Sequence, residues 1–167
     1  MITVSGWDSC KAVFNESDEW IPLSVSWDVA VSGRLLYLRI SGRSGGELEI
    51  KVSALNGSLH SLIVLEWPPE YVGEFTQTPI STVRSSVPNI NTDLWGPEPL
   101  DLYRVQPVFV TAELSTYRTH EETTLVMNNS VQIATAIECE FLSVGVAESG
   151  ELVSFTAKRN LGDAIAP

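Results

Sequence analysis

The side chains that could do chemistry in this chain are carboxylates set two apart, a histidine with acidic neighbours, two cysteines and five tryptophans. Glu47/Glu49 and Glu138/Glu140 each place two acids on one face of a strand, the layout of a glycosidase pair. Residues i and i+2 of a strand lie about 6.5 to 7 Å apart along the backbone. On a chain this rich in acid such pairs arise by chance and read as a solvated face. His120 stands in Thr119-His120-Glu121-Glu122. Adjacent residues on a strand point to opposite faces, so the cluster reads as a polar turn and not as a set of converging metal ligands. His60 falls on the wet side of an alternating run.

Cys139 lies in Ile137-Glu138-Cys139-Glu140-Phe141, where alternation puts it on the apolar side as a buried thiol. Cys10 is far from it in the chain. The sequence has no Gly-x-Ser-x-Gly elbow, phosphate-binding glycine loop before Lys-Ser/Thr, Cys-x-x-Cys or His-Glu-x-x-His. No catalytic residue, metal site or cofactor is therefore expected, and the protein reads as a non-enzyme.

The remaining signal is the company that tryptophan keeps. Every tryptophan has an acid within two residues, and two stretches combine acids, aromatics and proline: Glu66 to Phe75 and Asp93 to Tyr103. Within them Glu66, Trp67, Glu70, Tyr71, Glu74, Asp93, Trp95, Glu98 and Asp101 are the expected partner-binding residues. Proline lowers the entropy lost on docking, aromatic rings give rigid anchors, and carboxylates pair with Lys or Arg. The competing reading packs these aromatics on a core edge and leaves the acids in water.

The elements that would position these residues are strands. Leu23, Val25, Trp27 and Val29 alternate with small or polar residues; Arg34–Ile40 and Glu47–Val52 flank the glycines of 42–46; and Asn56-Gly57 leads into Leu59–Leu65. Strand-like alternation returns at Val108–Leu114 and Thr123–Met127, with a polar stretch at 115–122 between them. Val131–Val146 reads as one long or bent strand, and Ser149-Gly150 turns the chain into Glu151–Lys158. The expected fold is all-β, or β-rich with one or two short helices, the best helix candidate being Asp8–Trp20. It should be antiparallel, a two-layer sandwich or a strongly curled sheet of about eight or nine strands. The motif turn-Gly-x-Leu-x-Ser-apolar occurs at Asn56–Leu62 and again at Ser149–Phe155; a duplicated hairpin would set the two symmetrically in two sheets or two halves, and convergence of two unrelated hairpins gives the same short pattern.

At 167 residues the chain fits a single domain, 1–167. Seven of nine prolines fall between Trp67 and Pro107, so 67–107 is expected to be irregular, with strands short or confined to edges. Met1–Cys10 does not read as a secretory leader, and with two distant cysteines the expected compartment is the reducing cytoplasm. No run approaches the ~20 apolar residues of a membrane span.

The formal charge of −11 is spread along the chain. A field of this sign repels nucleic acid and anionic membranes and attracts a basic protein. A short acidic β-rich chain without catalytic residues resembles the bacterial immunity proteins, a resemblance of class that rests on no particular residue. It implies an interaction protein that occludes a basic partner such as a toxin domain. The rival expectations are a carbohydrate-binding module, using Trp67 and Trp95 as stacking platforms, and a structural subunit of a phage or secretion assembly.

Overall fold

β-branched and aliphatic residues at alternating positions fold here into short strands, most with one face on the core. The computed structural model describes residues 1–30, 33–96 and 107–159. Among them the first six strands are β1 (Val4–Ser9), β2 (Val13–Asn15), β3 (Leu23–Trp27), β4 (Leu35–Gly42), β5 (Glu47–Ser53) and β6 (Leu59–Glu66). The proline-rich stretch adds β7 (Glu70–Tyr71), β8 (Ser81–Val83), β9 (Ser86–Ile90) and a single 3-10 turn, Thr92–Trp95. The rest are β10 (Val108–Ala112), β11 (Ser115–Arg118), β12 (Glu122–Val126), β13 (Ile133–Cys139), β14 (Leu142–Ala147) and β15 (Leu152–Lys158).

The protein is an all-β sandwich. One sheet has the order β10-β4-β5-β6-β3-β2, the other β7-β11-β12-β15-β14-β13-β8, and β1 and β9 form a separate ribbon. Val25, Leu38, Ile50 and Leu62 from the first sheet share one core with Leu125, Ile137, Val144 and Phe155 from the second.

The two sheets repeat one plan. In the first, Val108 pairs with Leu38, Leu38 with Ile50, Ile50 with Leu62, and Leu62 with Val25. In the second, Val83 pairs with Ile137, Ile137 with Val144, Val144 with Phe155, and Phe155 with Leu125. Each series begins with a parallel edge strand, β10 or β8, and continues antiparallel. Both central hairpins carry a bulge at the same place, so that His60 and Val153 are the extra residues. The repeated motif read in the sequence lies in this register, Leu59 over Leu152 and Ser61 over Ser154.

Several expectations are corrected. Among the described residues fifteen strands replace eight or nine, because many have only two to five residues and their partners lie far along the chain. Three pairings, β10/β4, β7/β11 and β8/β13, are parallel. Residues 8–20 form the end of β1 and the short β2 in place of a helix; Val13–Asn15 pairs with Val25–Trp27, a ladder that outweighs the weak capping signal. The 131–146 run breaks into β13 and β14 at Glu140, which adopts a left-handed φ of 49° without any Gly or Asn signal. Its carboxylate accepts the N–H of Val13 at 2.9 Å. The polar stretch 115–122 contains β11.

The Asn56-Gly57 turn also differs from a two-residue turn with both φ values positive. Only Gly57 is left-handed (φ 75°), and Asn56 accepts the Ser58 N–H through Oδ1 at 3.1 Å.

In the proline-rich region regular structure is short and at edges: β7 and β8 are the two margins of the seven-stranded sheet, and Pro88 sits in the two-stranded ribbon opposite Trp7. Six strand spacings separate those margins, about 29 Å. The ten steps from Tyr71 to Ser81 reach at most about 36 Å, so residues 72–80 form a nearly taut strap across the sheet. Phe75, Gln77 and Pro79 are half-buried, while Thr76, Thr78 and Ile80 are exposed. Gln77 anchors the strap: its amide donates to Val131 O at 3.0 Å and accepts the Ile133 N–H at 2.7 Å.

Candidate binding face

Trp67–Phe75 is held against β11 by backbone bonds that its prolines leave free. Prolines 68 and 69 cannot donate, but their carbonyls accept from Thr116, through Oγ1 at 3.1 Å and N–H at 2.8 Å respectively. Thr116 is fully buried, so this attachment is shielded from water. Glu70 and Tyr71 then pair in parallel with Thr116 and Tyr117.

That pairing sets side chains in register. Tyr71 stacks on Tyr117 with ring centroids 5.7 Å apart and planes 20° apart. Phe75 leans on the same ring at 5.5 Å and 46°. Tyr71 remains 52% exposed, so the stack ends in an aromatic shelf open to solvent. The Arg118 guanidinium lies 4.2 Å from the Trp67 ring centroid, a cation–π contact, and its Nε is 3.2 Å from Glu70 Oε2. That nitrogen lacks hydrogen-bond alignment, so the Glu70 contact acts as an ion pair.

The expected partner-binding residues divide. Glu66, Glu70, Tyr71 and Glu74 are exposed, Tyr71 in the shelf and Glu70 beside Arg118, and Trp67 is half-buried with one face taken by Arg118. Asp93 is exposed on the 3-10 turn. Trp95 is in the core: it is 6% exposed, and its indole N–H donates to Tyr37 O at 3.0 Å. Trp67 is thus tied to the seven-stranded sheet and Trp95 to the six-stranded one, through Arg118 and Tyr37. Glu98 and Asp101 lie outside the described residues. Sequence reasoning passed over Tyr117 and Arg118, which sit in a stretch read as a polar connection.

The paired acids resolve differently from a bare solvated face. Glu49 and Glu47 grip Arg39, accepting from Nε at 2.8 Å and Nη1 at 3.0 Å. These hydrogen bonds, Glu49's foremost, raise the Arg39 pKa above its ordinary value. Lys51 extends the network to Glu49 at 3.8 Å and lies over the Tyr37 ring. His120 lies in a turn closed by Thr119 Oγ1, which accepts the N–H groups of Glu121 and Glu122.

Cys10 and Cys139, distant in sequence, meet in the core. Both are free and buried, and the Cys10 thiol donates to Ala12 O at 3.3 Å. Burial first, and then the Cys10 thiol, pushes the Cys139 pKa up to about 12. A thiol held protonated is a poor nucleophile.

No helix among the described residues is long and apolar enough to cross a membrane. The chain matches no protein-family model, and no curated protein matches it in sequence.

Proposed function

We propose that this is a non-catalytic binding protein that docks a basic protein partner against the Glu66–Phe75 face. The observation that carries the reading is the Tyr71–Tyr117–Phe75 stack, exposed at Tyr71, in a segment that also carries the exposed acids Glu66, Glu70 and Glu74. A rigid aromatic centre with a charged rim is the anatomy of a protein-binding hot spot. The overall charge of −11 favours a basic partner by steering and disfavours phosphate backbones. Proteins that act on nucleic acid present basic surfaces, so an immunity-type inhibitor that covers such a surface fits this charge.

The test is capture from the source cell with the full chain as bait, run beside Tyr71→Ala and Phe75→Ala variants of unchanged circular dichroism. The expected result is a stoichiometric partner with a basic domain, retained by the wild type and lost by the variants. Failure to recover a basic partner, or equal capture by the variants, overturns the proposal.

A further inference from the structure

The repeat built into the two sheets allows their outer faces to be compared position by position. In the first sheet Tyr37, Arg39, Glu49, Lys51 and Ile63 occupy one such face; the equivalent positions in the second are Ala136, Glu138, Ser143, Gly145 and Thr156. Long side chains cover the first face with ion pairs. Four of the five replacements in the second are small, and they leave a trough of about 150 Å³ between the sheet and the strap. Gly145 is closely packed: a Cβ there would lie 2.6 Å from Ile133 Cδ1 and would displace the Ser154 hydroxyl.

The walls of this trough differ in chemistry. Phe75, Pro79 and Ile133 supply apolar surface, Thr124 and Thr156 supply hydroxyls bonded to each other at 3.0 Å, and Glu122, Lys158 and Glu138 supply charge. Lys158 lies 3.9 Å from Glu138, whereas Glu122 has no ion-pair partner among the described residues. An occupant matching these walls has an aliphatic stem and a cationic tip. The negative balance of the charged wall, like that of the whole chain, excludes the opposite sign.

We infer that the trough is the socket for a lysine side chain of the basic partner, with the stem along Phe75 and the ammonium at Glu122. The inference rests on the binding function proposed above and names the group that gives it specificity. Lys158, the cross-strand neighbour of Glu122, then sets a like charge beside the incoming ammonium, and its removal strengthens binding.

The experiment titrates the intact protein with N-α-acetyl-lysine methylamide and follows backbone amide resonances. Saturable shifts are expected at Thr124, Gly145 and Thr156. Glu122→Gln is expected to weaken binding about tenfold, the scale of one lost charge-assisted hydrogen bond. Lys158→Met should tighten it, and Thr156→Ile, which installs the residue of the other sheet, should abolish it. The absence of saturable shifts, equal shifts with the uncharged norleucine analogue, or weaker binding in Lys158→Met overturns the inference. If partner capture is lost in Tyr71→Ala but persists in Thr156→Ile, the socket fails and the binding face stands.

Discussion

Gly57 and Gly150 hold equivalent posts in the two sheets: the carbonyl of Gly57 accepts the Ile90 N–H at 2.8 Å, and that of Gly150 accepts the Val4 N–H at 2.7 Å. Val4 and Ile90 are themselves paired across the β1/β9 ribbon. The residues alongside follow suit, Thr3 bridging Glu151 and Asn89 bridging Ser58. The ribbon is therefore clasped by the tips of the two central hairpins, each through the carbonyl of its turn glycine. A two-stranded ribbon is marginal alone, and these clasps give it the extra neighbours it needs.

Substitution at the two glycines should be costly and unequal. Both are left-handed, φ 75° and 86°, which an L side chain adopts under strain. At Gly57 a Cβ also runs into the Ile90 carbonyl oxygen, whereas at Gly150 the nearest atom is Val4 O at 3.2 Å. Gly57→Ala is expected to lower unfolding free energy by about 2 to 3 kcal/mol and Gly150→Ala by about 1 kcal/mol. Urea unfolding measures both, and an equal loss would show that the clash at Gly57 is relieved by movement of β9.

The clasp also marks what could be read in the residues. The hairpins at Gly57 and Gly150 were visible because turn, bulge and alternation are local in sequence. The repeat Asn56–Leu62 and Ser149–Phe155 was visible for the same reason, and its register is that of the fold. What was hidden is long-range. Tyr71 pairs in parallel with Tyr117, and Ser81 with Thr135, so nothing beside either residue records its partner. The meeting of Cys10 with Cys139 was hidden likewise. At the candidate face Tyr71 and the exposed acids were singled out from sequence, but Tyr117, on which Tyr71 stacks, was not. Trp95 shows the limit from the other side: aromatic, acid and proline in sequence describe a surface anchor and a core residue equally well.

Trp95 and Tyr71 should accordingly separate in mutagenesis. Trp95→Ala removes a buried ring and the bond to Tyr37 O, and is expected to cost about 3 to 5 kcal/mol of stability. Tyr71→Ala, half-exposed at the sheet margin, should cost about 1 kcal/mol or less. Parallel denaturation curves check the pair; similar losses would make Tyr71 a structural residue.

Cys139 should lend the fold an alkaline limit. Its pKa is raised from an ordinary 9.0 to about 12, so the folded state holds the thiol proton more tightly than the unfolded chain. The resulting stability is complete below about pH 8.5 to 9 and is lost as pH rises towards 12, at up to about 1.4 kcal/mol per pH unit. Between pH 9 and 11 Cys139→Ala should unfold with a shallower pH slope than the wild type, whatever its absolute stability. An identical slope would mean that the thiol does not set the limit. Iodoacetamide at pH 8 should label neither cysteine before unfolding.

The binding face makes a kinetic prediction, because its acids and its aromatic shelf act at different stages of association. Charges on the rim act at long range, over about 8 Å at physiological salt, and so mainly set the rate of encounter. The shelf acts only at contact and so mainly sets how long the complex lasts. Replacing Glu66 and Glu74 by Gln should slow association and flatten its dependence on salt, while dissociation changes little. Stability should stay within about 0.5 kcal/mol, because both acids are exposed and neither is in an ion pair among the described residues. Tyr71→Ala should do the reverse, accelerating dissociation by about thirtyfold or more if the ring is a hot spot of about 2 kcal/mol. Glu70→Gln is the informative intermediate, since its carboxylate also faces Arg118 at 3.2 Å. Its loss frees that guanidinium to repel a basic partner, so association should slow more than removal of one negative charge accounts for. Arg118→Met in the Glu70→Gln background should restore part of the rate. Stopped-flow association measured across a salt series decides the matter. If Tyr71→Ala alters only association, or the double variant is no faster than Glu70→Gln, then the shelf is not the contact surface and the partner docks elsewhere.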